Sequence, residues 1–315
     1  MKNHLDQLVY IANLYYEQRL SQSEIAQVVG ISRPTVSRML EEARQTGIVE
    51  IIVHDPIRKN MNLSTIIRER YQFREAIVVA GNSKYDIAVE RCGRVAAQLI
   101  SNILDNNMSL GFSWGRAVRA VCNAISPKEY YNVTVAQMAG CLSVKSSQFD
   151  GLELAIDVAR KLNATYSNIV SPVYVELETL QKSLFESKQI KQAIEIASNL
   201  DIVFSGIGTV NDKNGSLMLS DCSTPEERAE VLERGAVAHI LARLIDKNGK
   251  EILFPNHYPV SAPLDAMKNA KWSIGVSVTK EKAEATLAVI KGGYINCLIC
   301  DEPLAFELLK LSNFE

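Results

Sequence analysis

The segment Gly111–Arg116 (GFSWGR) brings small residues, a hydroxyl and a cation together within six positions. It follows an apolar stretch with the pattern of a strand, and a helical stretch begins at Gly115. Small residues let the backbone approach a ligand, and free N–H groups at the start of a helix favour an anion such as phosphate. Ser113 can donate a hydroxyl hydrogen bond, Arg116 adds positive charge, and Trp114 lies between them. The segment therefore predicts a loop that binds a small anionic ligand.

The same segment also fits G-x-S-x-G, the nucleophile elbow of α/β-hydrolases, which would make Ser113 a nucleophile. A hydrolase triad also needs an acid and a histidine further along the chain. The pairs available are Asp201 or Asp221 with His239, and Asp246 with His257. The chain has four histidines and no oxyanion loop of the HGGG type before the segment. Hydrolysis is therefore the weaker interpretation, and we predict no catalytic residues.

Three further segments have the composition of ligand-binding loops. Ala139-Gly140-Cys141 and Gly206-Ile207-Gly208-Thr209 each follow an apolar strand and offer glycine where a backbone could approach a ligand. Lys282 stands near the start of a helix, where it could pair with phosphate; the alternative is a solvated lysine, which is the more common role at that position. Asp301, shortly before Pro303, is most simply an N-cap.

The six cysteines predict neither a disulfide framework nor a metal centre. They are scattered along the chain, which suits a reducing cytosol. Cys297 and Cys300 form a C-x-x-C pair inside a stretch that has the pattern of a buried strand. Positions three apart on a strand point to opposite faces, so the two thiols should not share a ligand. We expect no metal and no cofactor.

The elements that must position these loops alternate between strand and helix from Glu75 onward. The predicted strands are Ala76–Val79, Met108–Phe112, Val133–Met138, Ile202–Ile207, Glu251–Phe254, Ile274–Val278 and Tyr294–Cys300. The predicted helices are Tyr85–Leu104, Gly115–Ile125, Leu152–Leu162, Ile190–Ser198, Pro225–Ile245, Lys282–Ile290 and Leu304–Leu311. Such alternation predicts an α/β fold with a doubly wound, mostly parallel sheet, whose ligands lie beyond the carboxyl ends of the strands.

The first sixty residues have a different pattern, which predicts a helix-turn-helix. A helix comes first, whose predicted buried face carries Leu5, Leu8, Val9, Ala12, Tyr15 and Tyr16. Ser21 with Glu24 then forms a capping-box pattern for a short second helix that ends at Gly30. Ser32 caps a third helix, and a strand Ile48–Val53 would form a wing. The third helix would enter the major groove of DNA. The residues predicted to contact DNA are Gln22, Ser23, Ser32, Arg33, Thr35, Ser37, Arg38 and Arg44.

These patterns divide the chain into three parts. Residues 1–54 form the helix-turn-helix domain, residues 55–72 form a linker with a candidate oligomerisation helix, and residues 73–315 form the larger domain. The helix Leu63–Tyr71 could contact another copy of the chain or could pack on its own domain, and the sequence favours neither.

Whole-chain properties agree with a protein of two domains. The chain has 315 residues, 47% of them hydrophobic, and a net charge of −2, so any DNA binding depends on a local surface. The first residues are polar, no apolar segment follows them, and no stretch approaches the roughly 20 apolar residues that span a bilayer. We expect a soluble cytoplasmic protein that does not bind membranes.

With these segments in view, the chain resembles the SorC/DeoR-type family of sugar-responsive bacterial transcription regulators over essentially its full length. The matching stretches are LYYEQRLSQSEIAQVVGISRPTVSRMLEEARQTGIV, LGFSWGRAV and IGVSVTKEKAEATLAVIKGGYINCLICDEPLA. The resemblance implies a winged-helix-like N-terminal domain and a C-terminal domain similar to glucosamine-6-phosphate deaminase and ribose-5-phosphate isomerase. That domain would sense a sugar or sugar phosphate without converting it, in a tetramer or dimer of dimers on operator DNA.

The resemblance also assigns site residues. It maps the family's phosphate loop onto Gly111–Arg116, a second ligand loop onto Ala139–Cys141, and a phosphate-contacting lysine onto Lys282. Where the family often has Gly-Asp within GAVGDI, this chain has Ala238-His239 within GAVAHI, which implies a changed pocket for the effector. The residues predicted to bind the effector are Gly111, Ser113, Trp114, Gly115, Arg116, Gly140, Cys141, Gly208, His239 and Lys282.

The sequence thus predicts a regulator of a carbohydrate operon whose DNA affinity depends on a sugar or sugar phosphate. The alternative is an active sugar-phosphate isomerase or deaminase fused to a DNA-binding module. Such an enzyme needs an acid/base pair beside the sugar carbonyl, and the loops above offer no carboxylate pair. We therefore expect the chain not to be an enzyme.

Overall fold

A computed structural model describes residues 4–49, 57–142, 151–211 and 223–312 of the chain. Within these ranges the chain forms two compact units, residues 1–56 and residues 57–315. Among the described residues, no helix is both long enough and apolar enough to cross a membrane.

The smaller unit contains three α-helices, α1 (His4–Ala12), α2 (Gln22–Val29) and α3 (Arg33–Gln45), with a π-helical turn at Asn13–Glu17. The predicted caps of α2 and α3 are confirmed. The Ser21 hydroxyl accepts from Glu24 N while the Glu24 carboxylate accepts from Ser21 N, and Gly30 ends α2 at φ +74°. The Ser32 hydroxyl accepts from Thr35 N at the start of α3. These caps fix the turn between α2 and α3.

The core of the smaller unit forms where α1 packs on α3, around Leu8, Ile11, Val36 and Leu40. The predicted buried face of α1 was partly wrong, because Leu5 and Val9 are 53% and 41% exposed and Ile11 is buried instead. Of the predicted wing strand Ile48–Val53, residues 50–53 lie outside the described residues, and Ile48 and Val49 are not in a strand.

The larger unit contains thirteen strands and ten α-helices among its described residues. The strands are β1 (Glu75–Val79), β2 (Ser109–Phe112), β3 (Thr134–Gln137), β4 (Thr165–Ser167), β5 (Tyr174–Val175), β6 (Ile202–Gly206), β7 (Gly208–Thr209), β8 (Ala236–Ile240), β9 (Arg243–Asp246), β10 (Glu251–Ile252), β11 (Tyr258–Pro259), β12 (Trp272–Ser277) and β13 (Cys297–Asp301). The helices are α4 (Met61–Arg70), α5 (Tyr85–Ile103), α6 (Arg116–Ala124), α7 (Gly151–Lys161), α8 (Glu178–Glu186), α9 (Lys188–Ser198), α10 (Pro225–Glu233), α11 (Asp265–Asn269), α12 (Ala283–Lys291) and α13 (Glu302–Ser312).

Seven strands form one parallel sheet in the order β1-β13-β12-β6-β2-β3-β4, which confirms the predicted parallel architecture. The predicted strand Glu251–Phe254 is not part of it, because only Glu251–Ile252 is a strand and it lies in a separate antiparallel sheet, while the edge strand β4 was not predicted. Strands β2, β3 and β4 follow one another towards one edge, and β6, β12 and β13 follow one another towards the other. The direction of winding therefore reverses between β2 and β6. In an open α/β sheet, the crevice beyond the carboxyl ends of the strands at this switch point is the expected ligand site.

An apolar cluster covers each face of this sheet. Residues that alternate along β13 belong to different clusters, Leu298 and Cys300 to one, Cys297 and Ile299 to the other. The two thiols of the C-x-x-C pair thus point to opposite faces, as predicted. Burial raises the pKa of both thiols, so neither is poised as a thiolate ligand.

A smaller antiparallel sheet in the order β10-β9-β8-β7 overturns one predicted element. The sequence predicts a single helix over Pro225–Ile245, but the helix ends at Glu233 and two strands follow. Gly235, at φ +87°, takes the chain out of the helix, and Leu241 and Ala242, at φ +51° and +62°, form the hairpin between β8 and β9. A two-residue hairpin with positive φ normally contains Asn or Gly, so Leu241 and Ala242 carry no recognisable turn signal.

The chain that follows residue 56 joins the edge of the large sheet. Asn60 N donates to Val78 O and Ala80 N donates to Arg58 O, so this segment lies antiparallel to β1. The Asn60 side chain accepts from Leu63 N at the start of α4 and donates to a Glu302 oxygen at 2.6 Å. Helix α4 packs on β1 and α13, with Leu63 and Ile67 buried.

Candidate functional site

The carboxyl ends of β2 and β6 meet at the switch point, and two serine hydroxyls join them. Ser113 follows β2, Ser205 lies on β6, and their Oγ atoms are hydrogen bonded at 2.9 Å. Both side chains are buried. Gly115, at φ +115°, then turns the chain into α6, a conformation that favours glycine. The predicted loop Gly111–Arg116 therefore lies at the expected place in the fold.

Two cations from different loops converge beside this crevice. Arg116 is the first residue of α6, and Lys282 ends a 3-10 turn before α12. The guanidinium of Arg116 lies 4.4 Å from the centre of the Tyr85 ring, and the ammonium of Lys282 lies 5.5 Å from the same centre. Lys282 Nζ also donates to Ile207 O at 3.1 Å, beside Gly208. The structure thus places both cations predicted for the effector on one ring.

The turn that presents Lys282 has a strained backbone. Thr279 adopts φ +74°, which is unfavourable for a β-branched residue. Its N–H donates to both carboxylate oxygens of Asp301, at 3.0 and 3.2 Å. Asp301 also accepts from Leu304 N, which confirms its predicted role as an N-cap, and burial raises the pKa of its carboxyl. Strain of this kind is often found at binding sites.

His239 and Gly208 form a tightly packed pair in the small sheet. They are directly opposite each other on β8 and β7, and a Cβ built on Gly208 would lie 1.6 Å from His239 Nε2. The imidazole is buried, and its Nε2 has no hydrogen-bond partner among the described residues. Burial, with a smaller contribution from the Lys282 charge, lowers the pKa of His239 to about 3. His239 is therefore a neutral group next to the cationic side of the crevice.

The loop after β3 has a structural reason for its glycine. A Cβ on Gly140 would lie 2.6 Å from the backbone oxygens of Ser171 and Pro172, and Gly140 N donates to Val260 O. Cys141 pairs with the same neighbouring segment through its backbone. A Cβ at Gly111 would meet the end of the Leu200 side chain, so a larger residue there would require Leu200 to shift. These glycines serve internal packing, whether or not a ligand contacts them.

Trp114 is also mainly a packing residue. Its side chain is buried in the apolar cluster on one face of the sheet, and its Nε1 has no hydrogen-bond partner among the described residues. A buried indole N–H usually finds a partner, so this donor is available to a ligand or a water molecule.

The arrangement around Ser113 does not form a hydrolase triad. Its hydroxyl bonds to Ser205 and not to a histidine. Asp201 accepts from Ser109 N and Oγ at the opposite, amino end of β2. Asp246 accepts from the backbone of its own turn, and Asp221 lies outside the described residues. The His257 ring is stacked on Phe254.

Three residues of the crevice were missed by the sequence analysis: Tyr85, Gln137 and Ser205. Gln137 ends β3, is buried, and its Oε1 has no hydrogen-bond partner among the described residues. A polar residue at the carboxyl end of an apolar strand was the available signal for Gln137 and Ser205. Tyr85 had no such signal, because its role depends on two loops that lie far away in sequence.

In the ranges that the structure describes, no group of three acidic, histidine or cysteine side chains could hold a metal ion.

The outward face of α3 carries most of the residues predicted to contact DNA. Arg33, Ser37 and Arg38 are exposed, while Val36, Met39 and Leu40 are buried beneath them. The Ser32 and Thr35 hydroxyls bond to each other at 2.8 Å at the start of α3. Arg44, two turns further along, pairs with Glu41 at 2.6 Å. Ser23 is exposed at the start of α2, and Gln22 beside it is half-buried.

Two family models match the chain, one over each of its two parts. Residues 55–310 match the family model described as "Putative sugar-binding domain", and residues 7–58 match the Crp-like helix-turn-helix domain. The chain belongs to the SorC/DeoR-type family of sugar-responsive bacterial transcription regulators. It is a DNA-binding regulator with a sugar-binding domain, and the interpretation as an isomerase or deaminase is not supported.

Particular relatives are similar over nearly the whole chain. The sorbitol operon regulator of Klebsiella pneumoniae is 27% identical over 307 residues, which cover 96% of this chain and 97% of that protein. The deoxyribonucleoside regulator of Bacillus subtilis is 27% identical over 300 residues, 95% of each chain. The crystal structure of the full-length Klebsiella regulator superposes with a TM-score of 0.74 at 28% identity and covers 96% of this chain and 98% of that one.

Proposed function

We propose that the chain binds operator DNA of a carbohydrate operon through α3, and that a small sugar or sugar phosphate changes this affinity from the crevice between β2 and β6. The observation that carries the effector assignment is the convergence of Arg116 and Lys282 beside the switch point. The names of the relatives, which include regulators of sorbitol and deoxyribonucleoside genes, support a carbohydrate effector. The residues assigned to the effector and to DNA are those predicted from the sequence, with Gln137 and Ser205 added to the effector site.

A thermal-shift screen of the full chain against phosphorylated and free sugars tests the effector assignment. A ligand at 100 times its dissociation constant should stabilise the protein by about 2.7 kcal/mol, which raises the melting temperature by several degrees. We expect a sugar phosphate to give this shift. Arg116→Ala or Lys282→Met should weaken its binding about tenfold or more, because each substitution removes a cation that can pair with the phosphate.

Lys280→Ala is the matched control, since Lys280 lies on the same turn but is exposed. It should bind the sugar phosphate as tightly as the wild type. A free sugar that binds equally well to the wild type and to the Lys282→Met variant would show that the crevice does not recognise phosphate. A chain that no sugar or sugar phosphate stabilises would refute the effector assignment as a whole.

Operator binding tests the assignment of α3. We expect Arg33→Ala and Arg38→Ala each to weaken binding to a DNA fragment selected by the wild-type chain by about tenfold, because exposed arginines on the outward face of a recognition helix contact bases or phosphates. The Arg44→Ala change should have a smaller effect, since Arg44 already pairs with Glu41. Fluorescence anisotropy at fixed salt measures the dissociation constants.

The control for net charge is Arg160→Ala, an exposed position on α7 of the larger unit. It should leave DNA affinity unchanged. Equal losses in the Arg33, Arg38 and Arg160 variants would mean that only overall charge matters, and that α3 does not make the contacts assigned to it.

The remaining assignments concern organisation. We assign residues 1–54 to the DNA-binding domain, residues 55–72 to a linker and candidate oligomerisation helix, and residues 73–315 to the effector-binding domain. Such a regulator would act in the cytoplasm as a tetramer or dimer of dimers, because operator half-sites are usually bound by paired domains. Light scattering of the purified chain, alone and with operator DNA, measures the number of copies.

A further inference from the structure

The Tyr85 ring contacts two cationic side chains that come from separate loops. Arg116 follows β2 and Lys282 follows β12, and β6 lies between these strands in the sheet. The two strands are therefore about 10 Å apart. Yet both cationic groups lie within 5.5 Å of the centre of a single aromatic ring. Tyr85 itself is the first residue of α5, beyond the carboxyl end of the edge strand β1, so it reaches the crevice from a third direction.

This arrangement has an electrostatic cost and a compensation. Two like charges that contact the same ring repel each other, more strongly when they are partly removed from water. All three side chains are half-buried. The face of an aromatic ring carries partial negative charge and attracts cations, so the Tyr85 ring offsets part of the repulsion. The ring thereby keeps both cations near the crevice when no anion is present.

We propose that Tyr85 is a positioning residue that holds Arg116 and Lys282 ready for one doubly charged oxyanion, the phosphate of a sugar phosphate. A singly charged group can neutralise only one of the two cations, whereas a phosphate monoester carries about −1.5 to −2 charges near neutral pH. This proposal rests on the proposed function and adds the basis of its selectivity. The attraction for the two cations comes from the aromatic ring and not from the phenol hydroxyl. Tyr85→Phe, which keeps the ring, and Tyr85→Leu, which removes it, therefore form a matched pair of substitutions.

Inorganic phosphate and sulfate are the probes, because they carry the oxyanion without a sugar. The full chain and the variants Tyr85→Phe, Tyr85→Leu and Tyr85→Met are titrated by calorimetry at constant ionic strength. We expect Tyr85→Phe to bind phosphate within about twofold of the wild type. The leucine and methionine variants, which lose the ring but remain apolar, should bind at least tenfold more weakly. Thermal unfolding of each variant without anion shows whether it is folded. If the leucine variant does not fold, the methionine variant is used in its place.

The pH dependence separates positioning from a general structural effect. Between roughly pH 6 and 8, phosphate loses its second proton while sulfate stays doubly charged. Wild type and Tyr85→Phe should bind phosphate more tightly, relative to sulfate, as the pH rises through this range. In the leucine and methionine variants this increase should be much smaller, because the two cations no longer act together.

Three outcomes would overturn the proposal. If a variant without the ring binds phosphate like the wild type, Tyr85 has no positioning role while the effector assignment stands. A wild-type chain that binds singly and doubly charged phosphate equally well would refute the selectivity. If the wild type binds a free sugar but neither phosphate nor any sugar phosphate, the phosphate part of the proposed function fails, and the role of Tyr85 fails with it.

Discussion

Replacing Gly208 by alanine is expected to destabilise the larger unit by about 3 kcal/mol, because the added methyl group would occupy the position of the His239 ring. The built Cβ lies 1.6 Å from Nε2 and 2.2 Å from Cε1 of that ring. The imidazole is only 8% exposed, so it cannot move aside without displacing other buried atoms. Urea denaturation followed by tryptophan fluorescence measures the loss, and both tryptophans, Trp114 and Trp272, lie in this unit.

Removing the ring should rescue the Gly208→Ala variant. His239→Ala alone leaves a cavity and is expected to cost about 1–3 kcal/mol. In the double variant the new methyl group enters space that the ring has vacated, so the two losses should not add, and the double variant should be more stable than Gly208→Ala alone. Additive losses would show that the strain lies in the backbone of β7 and not in contact with the ring.

The parallel sheet could be predicted from the sequence because its strands are continuous apolar runs. Strands such as β6 and β12 are buried on both faces, and helices such as α5 and α7 carry regular apolar stripes. The loops beyond their carboxyl ends could be predicted for the same reason, since the fold class fixes where ligands bind. The same reasoning predicts that Ser113 and Arg116 lie beyond the carboxyl end of β2, where the structure places them.

The small antiparallel sheet could not be predicted in the same way. The stretch between Pro225 and Ile245 has apolar residues at spacings that also suit a helix, and the hairpin at Leu241 and Ala242 lacks the usual turn residues. Its conformation depends on tertiary contacts, among them the packing of α12 against β8. The contact between His239 and Gly208 could not be predicted for the same reason, because the sequence pattern places His239 on a helix.

The contact of Tyr85 with two cations could not be predicted from the sequence either. Helical periodicity correctly starts α5 at Tyr85, but periodicity describes only the buried face of a helix. The contacts of the ring depend on Arg116 and Lys282, which come from loops about 30 and 200 residues further along the chain. A single sequence does not show which residues so far apart along the chain are in contact.

Acidification from about pH 6.5 towards pH 4.5 is expected to cost the larger unit about 2–3 kcal/mol through His239 alone. Burial lowers the pKa of His239 to about 3 in the folded chain, against 6.5 as its ordinary value. Between these values the unfolded chain binds a proton at this site and the folded chain does not, so unfolding is favoured as the pH falls. The contribution is fully present above pH 6.5 and is lost progressively down to about pH 3. Urea denaturation at a series of pH values measures it.

The difference between the wild type and His239→Gln isolates this effect, because carboxyl groups such as Asp301 titrate in both proteins. Glutamine keeps a polar amide of similar size but cannot take up a proton, so the variant should lose less stability on acidification. Lys282→Met provides a second comparison: since burial is the larger cause of the shift and the Lys282 charge the smaller, most of the pH dependence should remain. If His239→Gln and the wild type lose stability in parallel, the imidazole gains a proton in the folded protein as readily as in the unfolded chain. The crevice would then admit enough water to solvate a charge, and His239 could meet an anionic effector as a cation.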